Sequence, residues 1–162
     1  MKSAVYPGSF DPFTTGHLDV LKHAYGLFDT VYIGVLHNRS KNCVFPSDER
    51  RAMIEQVLHA EGLTNVRVCT FDGLLVDFMK QVDASYIIRG LRTTGDYLYE
   101  AEIASVNKHL MPEAQTVYFA ADPRLAFISS GIVREIASFG GDIDGLVPAP
   151  IRKIIAERLI KR

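Results

Sequence analysis

Four short stretches of this 162-residue chain carry residues suited to holding phosphate. The first reads Tyr6-Pro7-Gly8-Ser9-Phe10-Asp11-Pro12-Phe13-Thr14-Thr15-Gly16-His17. Gly8 and Gly16 let backbone approach a ligand closely, and Ser9 offers a hydroxyl. His17 falls in the first turn of an expected helix, where free N–H groups and the helix dipole favour an anion. A histidine there can donate to phosphate even while neutral. The same residues also read as a Gly/Pro-rich turn with an exposed histidine. The second stretch, Asn38-Arg39-Ser40-Lys41-Asn42, places two cations together, either in the field of a phosphate or on a solvated loop. The third, Arg89-Gly90-Leu91-Arg92, forms a compact anion clamp. Arg89 closes the apolar run Tyr86-Ile87-Ile88, where a guanidinium needs a partner. Glu100, farther on, reads by itself as a helix-surface acid. The fourth stretch runs from Leu125 to Arg134, with Ser129 and Ser130 ahead of a helix. Alone, that is an N-cap cluster.

The elements around these stretches place them together. Short β-branched or aromatic runs recur at Ala4–Tyr6, Val31–Leu36, Val66–Thr70, Tyr86–Arg89 and Thr116–Ala120. They are apolar on consecutive positions, as for strands covered on both faces. Helical patterns intervene at about Gly16–Leu27, after Pro46 with Ser47 as expected N-cap, at about Leu74–Gln81 and at about Gly95–Leu110. Two more follow the last strand, at about Ser130–Phe139 and Ala149–Leu159. Regular alternation means βαβ units with right-handed crossovers. The expected fold is α/β: a Rossmann-like, doubly wound, five-stranded parallel sheet with helices on both faces and C-terminal helices, one domain over residues 1–162. Ligands of such sheets bind beyond the carboxyl ends of the strands, where strand order reverses, and every stretch above follows a strand. No acid–base pair, Ser–His–Asp trio or metal cage accompanies them. The pattern therefore points to positioning and charge stabilisation rather than covalent catalysis.

Composition narrows the classes further. The 48% hydrophobic content suffices for a core, and 18 Lys+Arg against 19 Asp+Glu leave a net charge of −1. That balance argues against a nucleic-acid partner. The longest uncharged runs are nine residues, far short of the ~20 that span a bilayer, so no membrane association is expected. The N-terminal Met1–Pro7 lacks the apolar stretch of a signal peptide, and the expected location is the cytoplasm. Cys43 and Cys69 show no partner pattern; Cys69 is expected in the core and Cys43 as an exposed thiol. No glycine precedes a lysine, so the P-loop motif is absent, and no G-x-G-x-x-G follows the first strand. Dinucleotide oxidoreductases and P-loop enzymes are thereby disfavoured.

Thr14-Thr15-Gly16-His17 and Ile128-Ser129-Ser130-Gly131-Ile132-Val133-Arg134 resemble the paired [HT]-x-G-H and I-S-S-x-x-x-R motifs of the nucleotidyltransferase superfamily. Within it, Ile88-Arg89-Gly90-Leu91-Arg92, Asp96, Tyr99-Glu100 and Asn107-Lys108-His109-Leu110-Met111-Pro112-Glu113 look like bacterial phosphopantetheine adenylyltransferases, in register from Val5 to about Val147. The resemblance implies transfer of AMP from ATP to 4′-phosphopantetheine, giving dephospho-coenzyme A and pyrophosphate. It implies that Ser9 and Phe10 contact ATP, with Ser9 also near the acceptor phosphate. His17 would bind ATP phosphate and stabilise the transition state, with Lys41 as the second catalytic group. Lys41 and Arg89 would hold the acceptor, and Leu75 would line the pantetheine channel. Gly90, Leu91, Arg92, Glu100, Leu125, Ala126, Phe127, Ile128, Ser129, Ser130 and Gly131 would belong to the ATP site. Mg²⁺ would accompany ATP on phosphates and water. Coenzyme A is a further candidate ligand, as inhibitor, and the assembly implied is a homohexamer. Ser9 stands where many members have Thr, Leu125 where Trp is frequent, and Gly131 where Ser or Thr is frequent. The alternatives are a nucleotidyltransferase for another phosphorylated acceptor, such as nicotinamide mononucleotide or glycerol phosphate, and a nucleotide-binding regulatory module without turnover.

Overall fold

A computed structural model describes residues 1–37 and 42–160. Strand β1 (Ser3–Gly8) leads into α1 (Thr15–Tyr25), β2 (Thr30–Leu36), α2 (Ser47–Glu61), β3 (Val66–Phe71), α3 (Leu75–Gln81) and β4 (Tyr86–Leu91). Then come α4 (Thr94–Leu110), β5 (Gln115–Ala120), α5 (Ser130–Ser138) and α6 (Ala149–Ile160). The strands are all parallel, in the order β3-β2-β1-β4-β5. The order reverses between β1 and β4, so the expected α/β architecture and its switch point are both present.

Neighbouring side chains of the central strands serve different cores, because successive side chains point to opposite faces. Ala4, Tyr6 and Ile88 join α1, α2, α5 and α6 in the larger cluster. Val5 and Ile87 join Val76, Phe78 and Met79 of α3, with Met111 and Ala114, on the other face. The edge strands depart from the expected two-sided burial: β3 alternates, with Arg67 and Thr70 exposed, and β5 is only half-buried.

Two local expectations shift. Helix α2 starts one residue early: the Arg50 N–H donates to Pro46 O at 3.0 Å, so Pro46 occupies the cap position and Ser47 is already helical. Strand β4 continues two residues past Arg89, because Gly90 and Leu91 remain in register with Phe119 and Ala120 of β5. Cys43 and Cys69 are both half-buried, so neither the expected exposure of the first nor the full burial of the second holds. Cys69 sits on edge strand β3, where only one flank is covered, and partial burial pushes its thiol pKa up.

Candidate active site

At the β1/β4 switch point lies a cleft of about 340 Å³, walled by the loop after β1, the end of β4, the start of α4 and the segment before α5. His17 stands at its N-terminal wall, positioned by a reciprocal cap. Thr14 Oγ1 accepts from the His17 backbone N–H at 3.3 Å, and the Thr14 N–H donates to His17 Nδ1 at 3.0 Å. This is the capping-box arrangement with histidine in the place usually held by Glu or Gln. Its chemical consequence is a fixed tautomer. Because a backbone N–H must donate to Nδ1, the ring proton sits on Nε2, leaving that nitrogen a donor. The ring is packed edge-on to Phe10 and tilted against Phe13, with centroids 5.1 and 5.5 Å away. Burial, with the nearby Arg92 and Arg89 charges adding, lowers its pKa to about 4. His17 is therefore a neutral hydrogen-bond donor at physiological pH.

Arg89 supplies the opposite wall. Its Nε donates to Glu100 Oε2 at 2.6 Å, its Nη2 donates to Glu100 Oε1, and its Nη1 donates to Pro7 O at 3.3 Å. The side-chain exposures of the pair, 26% and 11%, correct the surface-acid reading of Glu100. The first turns of α4 carry Glu100 against β4 instead of toward solvent, where it is the partner that Arg89 requires. Tyr118 Oη donates to the Glu100 carbonyl at 3.2 Å and steadies this turn. Beyond the pair lies a second cavity of about 20 Å³, lined in part by Leu75, Ile103, Ala104 and Asn107, so Arg89 and Glu100 stand between two hollows. Arg92 is more exposed. Its Nε donates to Asp96 Oδ2 at 3.3 Å, and its Nη1 donates to Ile128 O at 3.3 Å, bridging the cleft from α4 to the loop before α5.

Ser129 caps α5 by accepting from the Ile132 N–H at 3.2 Å, while Ser130 Oγ donates to Pro12 O at 2.8 Å. Ser129 still has its hydroxyl proton to offer a ligand, whereas the proton of Ser130 is committed. Of the expected site residues, Phe10, His17, Arg89, Gly90, Arg92, Glu100, Leu125, Ile128, Ser129 and Ser130 line this cleft. Ser9, Leu91, Ala126, Phe127 and Gly131 do not: Leu91 ends β4 in its ladder with β5, and Phe127 is 59% exposed. Leu75 lines the second cavity only. Lys41 lies outside the described residues. Among those residues, no cluster of three or more His, Cys, Asp or Glu is placed to hold a metal ion, and no helix is long and apolar enough to cross a membrane.

Sequence reasoning gave no role to Thr14, Asp96, Tyr6 or Arg50. The Thr-x-x-His spacing at Thr14 was the available signal for the first, since it is a capping box with one substitution. Tyr6, whose hydroxyl pKa is raised by burial, lines the cleft from a strand position that reads as core.

Comparison with known proteins agrees with this geometry. The Cytidylyltransferase-like family model matches residues 5–136. A bifunctional NMN adenylyltransferase/ADP ribose pyrophosphatase from Francisella tularensis superposes with a TM-score of 0.75 at 16% identity, over 96% of this chain and 49% of that longer one. That likeness concerns the fold. The phosphopantetheine adenylyltransferase of Limosilactobacillus reuteri (strain DSM 20016) is 45% identical over 100% of this chain and 92% of its own. That of Lachnoclostridium phytofermentans is 46% identical over 98% and 96%. With a parallel sheet open at its switch point, a neutral histidine donor and paired arginines facing it, and likeness along its whole length, this chain belongs to the phosphopantetheine adenylyltransferase family of nucleotidyltransferases.

Proposed function

We propose that this chain transfers the adenylyl group of ATP to 4′-phosphopantetheine, giving dephospho-coenzyme A and pyrophosphate. The observation that carries the reading is the convergence of a fixed Nε2–H donor on His17 with the guanidinium groups of Arg89 and Arg92 in one cleft. The acceptor phosphate is already anionic at neutral pH, so its oxygen attacks the α-phosphorus without a general base. One P–O bond forms as the bond to the β-phosphate oxygen breaks, and the electron pair leaves on pyrophosphate. His17 donates to the phosphate oxygen that gains charge, and Arg92 steadies the nucleotide phosphates. Arg89 faces the acceptor, and Lys41 is assigned to the same phosphate by resemblance. Leu75 is assigned to the uncharged pantetheine arm by resemblance, and with Ile103 and Ala104 it offers an apolar surface beside Arg89.

Mg²⁺ would enter this site as a companion of the nucleotide: phosphates and water would supply its oxygen ligands, since Asp96 already accepts from Arg92. When bound, the ion neutralises phosphate charge. The exposed Tyr97, Leu98, Tyr99, Val106 and Leu110 along α4 support self-association, in keeping with a homohexamer. Coenzyme A shares the pantetheine arm and is the expected product-like inhibitor, and the expected location is the cytoplasm. The test is magnesium-dependent pyrophosphate release from ATP with 4′-phosphopantetheine, nicotinamide mononucleotide or glycerol 3-phosphate. Release with the first alone is expected. Release with another acceptor overturns the specificity, and none at all overturns the reaction.

A further inference from the structure

Among the described residues, the one buried cation is Arg50, on the first turn of α2, 2% exposed and outside the cleft lining. Its Nε donates to Phe45 O at 2.9 Å, and its Nη1 donates to Leu36 O at 3.1 Å and to Ser9 O. A buried guanidinium needs partners for its donors, and here backbone carbonyls from three places take the Nε and Nη1 hydrogens. Leu36 ends β2, Phe45 precedes α2, and Ser9 belongs to the loop after β1.

The contact with Ser9 has a geometric consequence. The Ser9–Phe10 peptide is trans, so its N–H points opposite to its carbonyl. With the Ser9 oxygen held on Arg50, the Phe10 N–H points away from that guanidinium, and Phe10 itself lines the cleft. Among the described residues nothing accepts from that N–H. A second carbonyl of the turn is held by a guanidinium in the same way: Arg134 Nη1 donates to Asp11 O. The buried Asp11 carboxylate in turn accepts from the Val44 and Phe45 N–H groups, both at 2.9 Å. Phe10 has φ of 51°, a left-handed conformation that a phenylalanine adopts only when its surroundings impose it.

We propose that Arg50 is a positioning residue for phosphate binding. It withdraws the Ser9 carbonyl from the cleft, presents the Phe10 N–H to a phosphate of the nucleotide, and ties that turn to both flanks of the β2–α2 connection. A carbonyl oxygen left facing the cleft would repel the phosphate, so the orientation changes the sign of the local field as well as adding a donor. The inference rests on the functional reading above, in that the anion is taken to be the phosphate of ATP.

The test uses the full chain and two variants, Arg50→Lys and Arg50→Met. Folding is followed by circular dichroism, ATP binding by calorimetry, and adenosine binding by saturation-transfer NMR. The expected result is that ATP binding weakens by about tenfold or more, as for loss of a hydrogen bond to a charged group. Adenosine binding should stay within about twofold. Lysine should restore only part of the loss, because one ammonium cannot span three separate carbonyls. Equal weakening of ATP and adenosine, or none of either, overturns the proposal. If Arg50→Met unfolds, Arg50→Lys decides; if neither folds, the role is purely structural and the proposal falls. Wild-type protein that binds ATP but releases no pyrophosphate refutes the functional reading alone, since the ATP-to-adenosine comparison still reports on Arg50.

Discussion

Replacing His17 with alanine should leave a folded protein whose kcat falls by about 10²–10³, or about 3–4 kcal/mol of transition-state stabilisation. The magnitude follows from its geometry. Thr14 N–H occupies Nδ1 at 3.0 Å, so only Nε2–H is left to meet a phosphate in the cleft, and its loss removes one donor to an oxygen that gains charge. KM for ATP should change less than kcat, because the ground-state phosphates keep Arg92 and the helix N-terminus. The same geometry sets a pH dependence. The pKa of His17 is lowered to about 4 from 6.5, chiefly by burial and then by Arg92 and Arg89. The folded state therefore resists protonation more than the unfolded chain does. The contribution is fully present above pH 6.5 and is lost as pH falls from there through about 4. At about 1.4 kcal/mol per pH interval the upper bound is about 3 kcal/mol, less because the ring reaches an open cleft. The assays are steady-state pyrophosphate release from pH 5 to 9, urea denaturation of wild type and His17→Ala over pH 4–8, and NMR titration of the His17 ring. Wild-type kcat should show no inflection from His17 near 6.5, and the variant should lose part of the acid-side decline in stability. A ring titrating near 6.5, or an alanine variant with full activity, would refute the assignment of a neutral donor.

Two further changes probe the cleft walls. Glu100→Gln keeps the shape but strips Arg89 of its counter-charge, and should lower stability in urea by about 1–2 kcal/mol, below the roughly 3–5 kcal/mol of a fully buried pair because Arg89 is partly open to the cleft; unchanged stability would show that the pair is idle. Gly90→Ala would bring a Cβ to 2.7 Å from Val20 Cγ2, costing about 1–3 kcal/mol. Val20→Ala in the same chain should recover much of that loss, and a double variant no more stable than Gly90→Ala would contradict a steric cause.

Sheet class, strand-by-strand alternation and the edge that binds ligand were legible in the chain because they depend on local periodicity and on a topological rule. Consecutive apolar positions mark strands buried on both faces, as β1 and β2 are, and ligands gather where strand order reverses. The chemistry of His17 was legible in part: its place at a helix start allowed a neutral donor, but the tautomer required the Thr14 N–H contact. Taken by itself, apart from the resemblance that put it in the ATP site, Glu100 read as a surface acid because helical spacing alone does not say which face of α4 meets β4. Arg89 signalled the need for a partner without naming it, since an ion pair eleven residues apart in sequence exists only once α4 lies across the strand.

Arg50 was invisible for a deeper reason. Its value lies in three carbonyls from segments far apart in the chain, and a carbonyl has no signature in the sequence, every residue having one. Residue types and their places after the strands were enough to say which side chains could meet phosphate and on which edge of the sheet they would gather. Which of them face the cleft, which are held by neighbours and how the backbone groups are turned follows from packing, because burial and hydrogen-bond direction arise when separate segments share one space.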